Sequence, residues 1–111
     1  MQFKDFVTID VQDNVAVCTL DHRHEKMNIV SPSVIDIFET LGNQMIENNQ
    51  IHAVIFISGK KDFMAGADIK SFQIEKEGDF KPFQAKGHTS LERIEKSKKP
   101  FIAAINGASG C

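Results

Sequence analysis

Residues 56–70 read FISGKKDFMAGADIK. The stretch continues Ala53–Ile57 (AVIFI), a short apolar run with the pattern of a strand covered on both faces. It leaves through a Gly-containing loop over residues 58–68, and a short helix is predicted from Asp68 to about Ile74, with the aspartate as its cap. The small residues Ala65-Gly66-Ala67 would let a ligand approach the backbone closely. N–H groups at a helix start are preorganised donors for developing negative charge. A tight strand-to-helix turn with an ordinary aspartate cap accounts for the same residues equally well.

Upstream, residues 6–11 (FVTIDV) and Val15–Leu20 alternate apolar and polar, and Asp13-Asn14 between them is turn chemistry, so a β-hairpin is expected. Residues 21–26 (DHRHEK) read as a polar loop. Ser31-Pro32 marks a helix start, with a hydroxyl for the N-cap and proline at the first helical position. Val34, Ile35, Phe38, Leu41, Met45 and Ile46 then recur at helical spacing as one buried face, and Asn48-Asn49 ends it. Downstream, residues 75–82 (EKEGDFKP) form a charged connector. A second helix is predicted from about Phe83 to Ser97, with Phe83, Leu91 and Ile94 as its apolar positions. Pro100 stops it, and Phe101–Ile105 (FIAAI) is another buried-strand run, closed by the Asn106-Gly107 turn. The order β-β-α-β-α-α-β implies an α/β fold with parallel βαβ units. No helix follows the last strand in this order, so one face of the sheet is expected to stay partly bare, as in a piece of something longer.

The 111 residues suffice for one domain, 1–111, with 41% apolar and 25% charged residues, which is ordinary globular usage. A net charge of −2 sets up no basic field for nucleic acid or anionic membrane. No apolar run reaches the ~18 residues of a membrane span, and MQFKDF has no signal-peptide apolar region. Cys18 and Cys111 make no disulfide framework, which fits the cytoplasm or a mitochondrial matrix. His22-x-His24 lacks a third ligand at metal spacing, so both read as solvated loop histidines and no metal site is expected. Glu92 and Glu95 sit among Arg93, Lys96, Lys98 and Lys99, a solvated charged face rather than an acid–base pair. Gly107-x-x-Gly110 is too short for a dinucleotide fingerprint.

FMAGADIK resembles the (F/C)xAGAD(I/L) signature of the crotonase (enoyl-CoA hydratase/isomerase) superfamily. Lys26-Met27-Asn28 resembles the K-x-N that this family carries before its first helix, and Lys99–Gly107 (KPFIAAING) resembles its KPxIAAxNG strand and turn. Three motifs in the right order span about 80 residues, and the finer detail looks most like the N-terminal hydratase part of multifunctional fatty-acid-oxidation α-subunits. The resemblance implies the N-terminal portion of a crotonase-like ββα spiral fold, apparently truncated. It implies an acyl-CoA thioester as substrate, with no metal or redox cofactor, and hydration of a trans-2-enoyl-CoA in fatty-acid β-oxidation. Carried onto this sequence, the backbone N–H of Ala67 is one oxyanion donor. Ala65 places its carbonyl on the adenine of CoA, Lys26 and Met27 line the CoA site, and Gly66, Asp68 and Ile69 complete the binding loop. The family's second donor lies in a glycine run whose first position falls on Cys111, the donor being the next residue, and its two glutamates lie further on. The 111 residues are therefore expected to carry half an oxyanion hole and no turnover, with a homo-oligomer or complex formed by the parent protein. Another crotonase chemistry (isomerase, thioesterase, decarboxylase) and a non-catalytic small α/β binding module remain as alternatives, the latter disfavoured by the opening hairpin.

Overall fold

The computed structural model describes residues 2–63, 66–67 and 81–105, with side chains left aside at 66, 67 and 83. Its first strands are β1 (Val7–Gln12) and β2 (Val15–Leu20), which pair antiparallel with Val7 opposite Leu20 and Gln12 opposite Val15. Asp13 and Asn14 both take positive φ, 52° and 67°, as a two-residue hairpin turn requires. Asparagine and aspartate tolerate that conformation because their short polar side chains bond locally. Asn14 adds a bond from Nδ2 to the Gln50 carbonyl at 2.8 Å, tying the turn to the next connection.

A two-residue strand, β3 (Ile29–Val30), leads into α1 (Pro32–Glu47). Ser31 Oγ accepts from the Val34 N–H at 3.2 Å, the expected N-cap. The chain then forms β4 (Ala53–Ser58), β5 (Gly66–Ala67), α2 (Lys81–Lys96) and β6 (Phe101–Ala104). Among the described residues the main sheet runs β1-β2-β4-β6, with β2–β4 and β4–β6 parallel, and β3 pairs with β5 in a separate two-stranded ladder. The hairpin and both parallel crossovers agree with the sequence reading. β3 and β5 were not anticipated, because two residues carry no periodicity. The helix expected at Asp68–Ile74, most of the 75–82 connector and the Asn106-Gly107 turn lie outside the described residues. Lys81 and Pro82 open α2 rather than ending the connector, and proline suits a first helical turn.

Alternation fixes which side chains reach the core. Ala16, Cys18 and Leu20 of β2 and Val54 of β4 are buried under α1, which contributes Val34, Ile37, Leu41 and Met45. Ile37 is absent from the six positions expected, and Ile35 and Ile46 are only half-buried, so the buried stripe is rotated toward Ile37. A chain of rings crosses this layer: His22, Phe6, Phe38, Phe56 and Phe101 follow one another at centroid distances of 5.9, 5.7, 5.9 and 6.2 Å.

The expectation that AVIFI and FIAAI are covered on both faces is corrected. Ile57 is 38% and Ile102 52% exposed, because among the described residues the helices cover the sheet face that carries Val54 and Phe56 and not the other. Leu91 is also exposed, so α2 meets α1 through Ile94, which approaches Gly42, and through the Lys86–Asp36 and Arg93–Asn43 pairs.

Candidate functional site

The ladder of β3 with β5 sets Ile29 opposite Gly66 and Val30 opposite Ala67. Lys26 and Met27, in the loop before β3, are both exposed, Met27 by 47%. The fold therefore pairs Ile29 and Val30, which follow Lys26-Met27-Asn28 directly, with Gly66 and Ala67, about forty residues later in the chain. Ala65, Asp68 and Ile69 lie outside the described residues.

Beside this ladder lies Asn28, 1% exposed and directly before β3. Its Oδ1 accepts from the His22 backbone N–H at 2.9 Å. Its Nδ2 faces the Leu20 carbonyl at 2.9 Å, Ser58 Oγ at 3.1 Å and the Phe63 carbonyl at 3.3 Å. Ser58 in turn accepts from the Lys60 N–H at 2.9 Å and donates to the Asp62 carbonyl at 2.7 Å, closing the turn after β4. The Gly59 N–H reaches the Leu20 carbonyl at 2.9 Å. A Cβ at Gly59 would come to 3.2 Å from Asp21 Cβ and Thr19 Cγ2, a tight fit that a larger residue would relieve only if those neighbours moved by a few tenths of an ångström. Lys60 Nζ also pairs with Asp21 at 2.9 Å across the same junction.

Sequence reasoning quoted Asn28 within a motif and gave it no role. The available signal was an amide side chain directly before two apolar residues and a capped helix, where a buried acceptor and donor are needed together.

His22 is a second correction: it is 7% exposed rather than solvated, with its ring edge-on to Phe6. Burial pushes its pKa below the ordinary 6.5, with Glu25 opposing that shift and His24 adding to it. Its Nδ1 accepts from the His24 N–H at 3.3 Å, so that lone pair is engaged. Among the described residues no three His, Cys, Asp or Glu side chains gather where they could hold a metal ion. Cys18 is buried and its thiol is pushed up to about 11, which leaves it inert as a nucleophile. Glu92 and Glu95 are exposed on α2, as the charged-face reading expects. No helix among the described residues is long and apolar enough to cross a membrane.

The ladder thus sets the small residues Gly66 and Ala67 beside Ile29 and Val30, next to a loop that exposes Lys26 and Met27. The enoyl-CoA hydratase/isomerase family profile matches residues 10–111. The fatty acid oxidation complex subunit alpha of Idiomarina loihiensis is 38% identical over 104 residues, covering 91% of this chain and 15% of that protein. The chain thus spans about a seventh of the length of the curated relatives it matches. Among solved structures, the enoyl-CoA hydratase of Bacillus anthracis superposes with a TM-score of 0.77 at 26% identity, over 91% of this chain and 40% of that one. A Legionella pneumophila crotonase structure gives 0.82 at 21% identity, over 95% of this chain and 41% of the other, a likeness of fold.

Proposed function

This chain belongs to the enoyl-CoA hydratase/isomerase family, and from that premise we propose that it supplies the thioester-binding half of an enoyl-CoA hydratase of fatty-acid β-oxidation. In the proposed reaction, water adds to a trans-2-enoyl-CoA: the hydroxyl goes to C3, a proton goes to C2, and a 3-hydroxyacyl-CoA forms. The thioester oxygen gains negative charge before C2 is protonated. A fixed dipole aimed at that oxygen stabilises the transition state more than the ground state, because it needs no reorganisation. The Ala67 backbone N–H is the donor proposed here. Lys26, Met27, Ala65, Gly66, Asp68 and Ile69 form the proposed CoA-binding loop. Hydration moves no electrons between substrate and enzyme, so the proposal includes no redox cofactor and no metal. The parent is proposed to work in the cytoplasm as an oligomer or complex, in line with relatives that are bacterial fatty acid oxidation complex subunits.

The observation that carries the reading is the ladder itself, which pairs Ile29 and Val30, directly after the motif at residues 26–28, with Gly66 and Ala67 of the second motif, far apart in the sequence. With no Trp or Tyr in the chain, calorimetry suits the test better than intrinsic fluorescence. Titration of the protein with a saturated acyl-CoA should give saturable binding that free CoA displaces. Binding that CoA leaves untouched, or no binding, refutes the thioester reading in favour of a non-catalytic α/β module.

A further inference from the structure

We propose that Asn28 is a positioning residue for the Ala67 backbone donor, holding both strands of the β3–β5 ladder to the main sheet through one buried carboxamide. The proposal rests on the thioester reading for its chemistry and adds the device that would make the donor precise.

The ladder has only two residue pairs, Ile29–Gly66 and Val30–Ala67, too few to specify a register on their own. Asn28 precedes β3 by one residue. The Phe63 carbonyl that it bonds precedes Gly66 by three. Its remaining partners are anchored in the main sheet or directly beside it: the Leu20 carbonyl, Ser58 Oγ and the His22 N–H. Leu20 is fully buried and pairs with Ser58 across β2 and β4. A single side chain therefore ties the entry to β3 and the approach to β5 onto the two central strands. An oxyanion donor is effective only when held within about 0.5 Å of its productive position, which makes such a tether worth its burial.

The geometry also says why the residue is an asparagine. One atom must accept an N–H while the other donates toward three oxygens. An aspartate would be isosteric in its place yet would aim a carboxylate at two carbonyls and a hydroxyl, and alanine would leave all four groups without this partner.

The test compares amide exchange in the 15N-labelled chain for wild type, Asn28→Asp, Asn28→Ala and Lys99→Met. The last weakens the end of α1 and leaves this cluster intact. In Asn28→Asp the most protected amide of Ile29, Val30, Gly66 and Ala67 should exchange about tenfold faster, with no matching change at Val54. Lys99→Met should show no such local difference. In a full-length enzyme carrying this segment, kcat for a trans-2-enoyl-CoA should fall about tenfold or more, with KM within about threefold, since a misplaced donor costs transition-state rather than ground-state binding. Equal acceleration at the ladder and at Val54 would make Asn28 a general stability residue and overturn the proposal. So would an unchanged ladder, or an unchanged kcat with a loosened one. Should the Asn28 variants not fold, Ser58→Ala removes one of the carboxamide's partners and should loosen the same amides less, and an unchanged ladder there also refutes the tether. Failure of the thioester reading has a different signature: the wild-type protein shows no CoA-displaced binding, while the exchange comparison still reports on the tether.

Discussion

Ala67 has only a methyl group beyond its backbone, so any part it plays in catalysis comes from its N–H. In the full-length enzyme, Ala67→Pro deletes that donor and should lower kcat by about 10²–10³, roughly 3–4 kcal/mol. Ala67→Gly keeps the N–H and should cost within ~1 kcal/mol through added backbone freedom. Steady-state kinetics alongside melting curves decide the matter: if both folded variants keep near-wild-type kcat, the donor is another group. His22 gives a residue-level pH dependence. Burial lowers its folded pKa below the ordinary 6.5, so the unfolded chain binds more protons in the window below 6.5. Its contribution is fully present above that pH and is lost as pH falls from about 6.5 toward the lower folded value. Glu25 and Asp5 counter the shift, while His24 and Lys60 reinforce it. His22→Gln keeps an acceptor without a titrating ring, and denaturant midpoints measured from about pH 7.5 to about pH 5 should fall less steeply in the variant than in the wild type.

At the scale of the element, α1 is secured at both ends by side chains distant in kind. Ser31 caps its first turn, and Lys99, arriving from the segment before β6, places Nζ 2.6 Å from both the Met45 and Asn48 carbonyls. A cation there satisfies acceptors that the helix leaves open and opposes the dipole's negative end. Lys99→Met should keep the stem's packing and lose ~1 kcal/mol of stability, seen as a lower urea midpoint with an unchanged slope. Gly42 lies in the middle of the same helix. A Cβ there would meet Ile94 Cδ1 at 3.7 Å, an ordinary van der Waals contact. Gly42→Ala should therefore stabilise the protein by about 0.5–1 kcal/mol by removing backbone freedom from the unfolded chain. A loss of stability would mean that α2 cannot accept even a methyl group at this crossing.

At the scale of the molecule, the helices among the described residues occupy one face of the main sheet. On the other face the register aligns Val17, Ile55 and Ile102 in one row and Thr19, Ile57 and Ala104 in the next. Ile57 and Ile102 are substantially exposed there, and Ile105, just past β6, is 60% exposed. Contiguous apolar patches of a few hundred Å2 on a soluble protein usually drive association. Sedimentation should accordingly show concentration-dependent self-association of the 111-residue chain, shifted toward monomer by Ile102→Lys. A wild-type chain that stays monomeric across the concentration range would mean that the bare face is tolerated.

The hairpin, the capped first helix and the parallel crossovers were legible in the sequence because each is specified by neighbours: Asp13-Asn14 by local backbone tolerance, Ser31-Pro32 by orphan N–H groups, and AVIFI by its apolar run. The motifs at residues 26–28 and 65–68 were legible for the same reason, as short strings with a family likeness. Their meeting was not. β3 and β5 are two residues each, too short for any period, and they exist only where distant segments supply each other's backbone partners. His22 was misjudged and Asn28 left without a role for a related reason: a polar residue in or beside a polar loop shows no sign of burial until tertiary contacts surround it, and burial is a property of the assembled chain. One-sided coverage of β4 and β6 belongs to the same class, since an apolar run states what a strand could bury, and only the packed layers decide which face is covered.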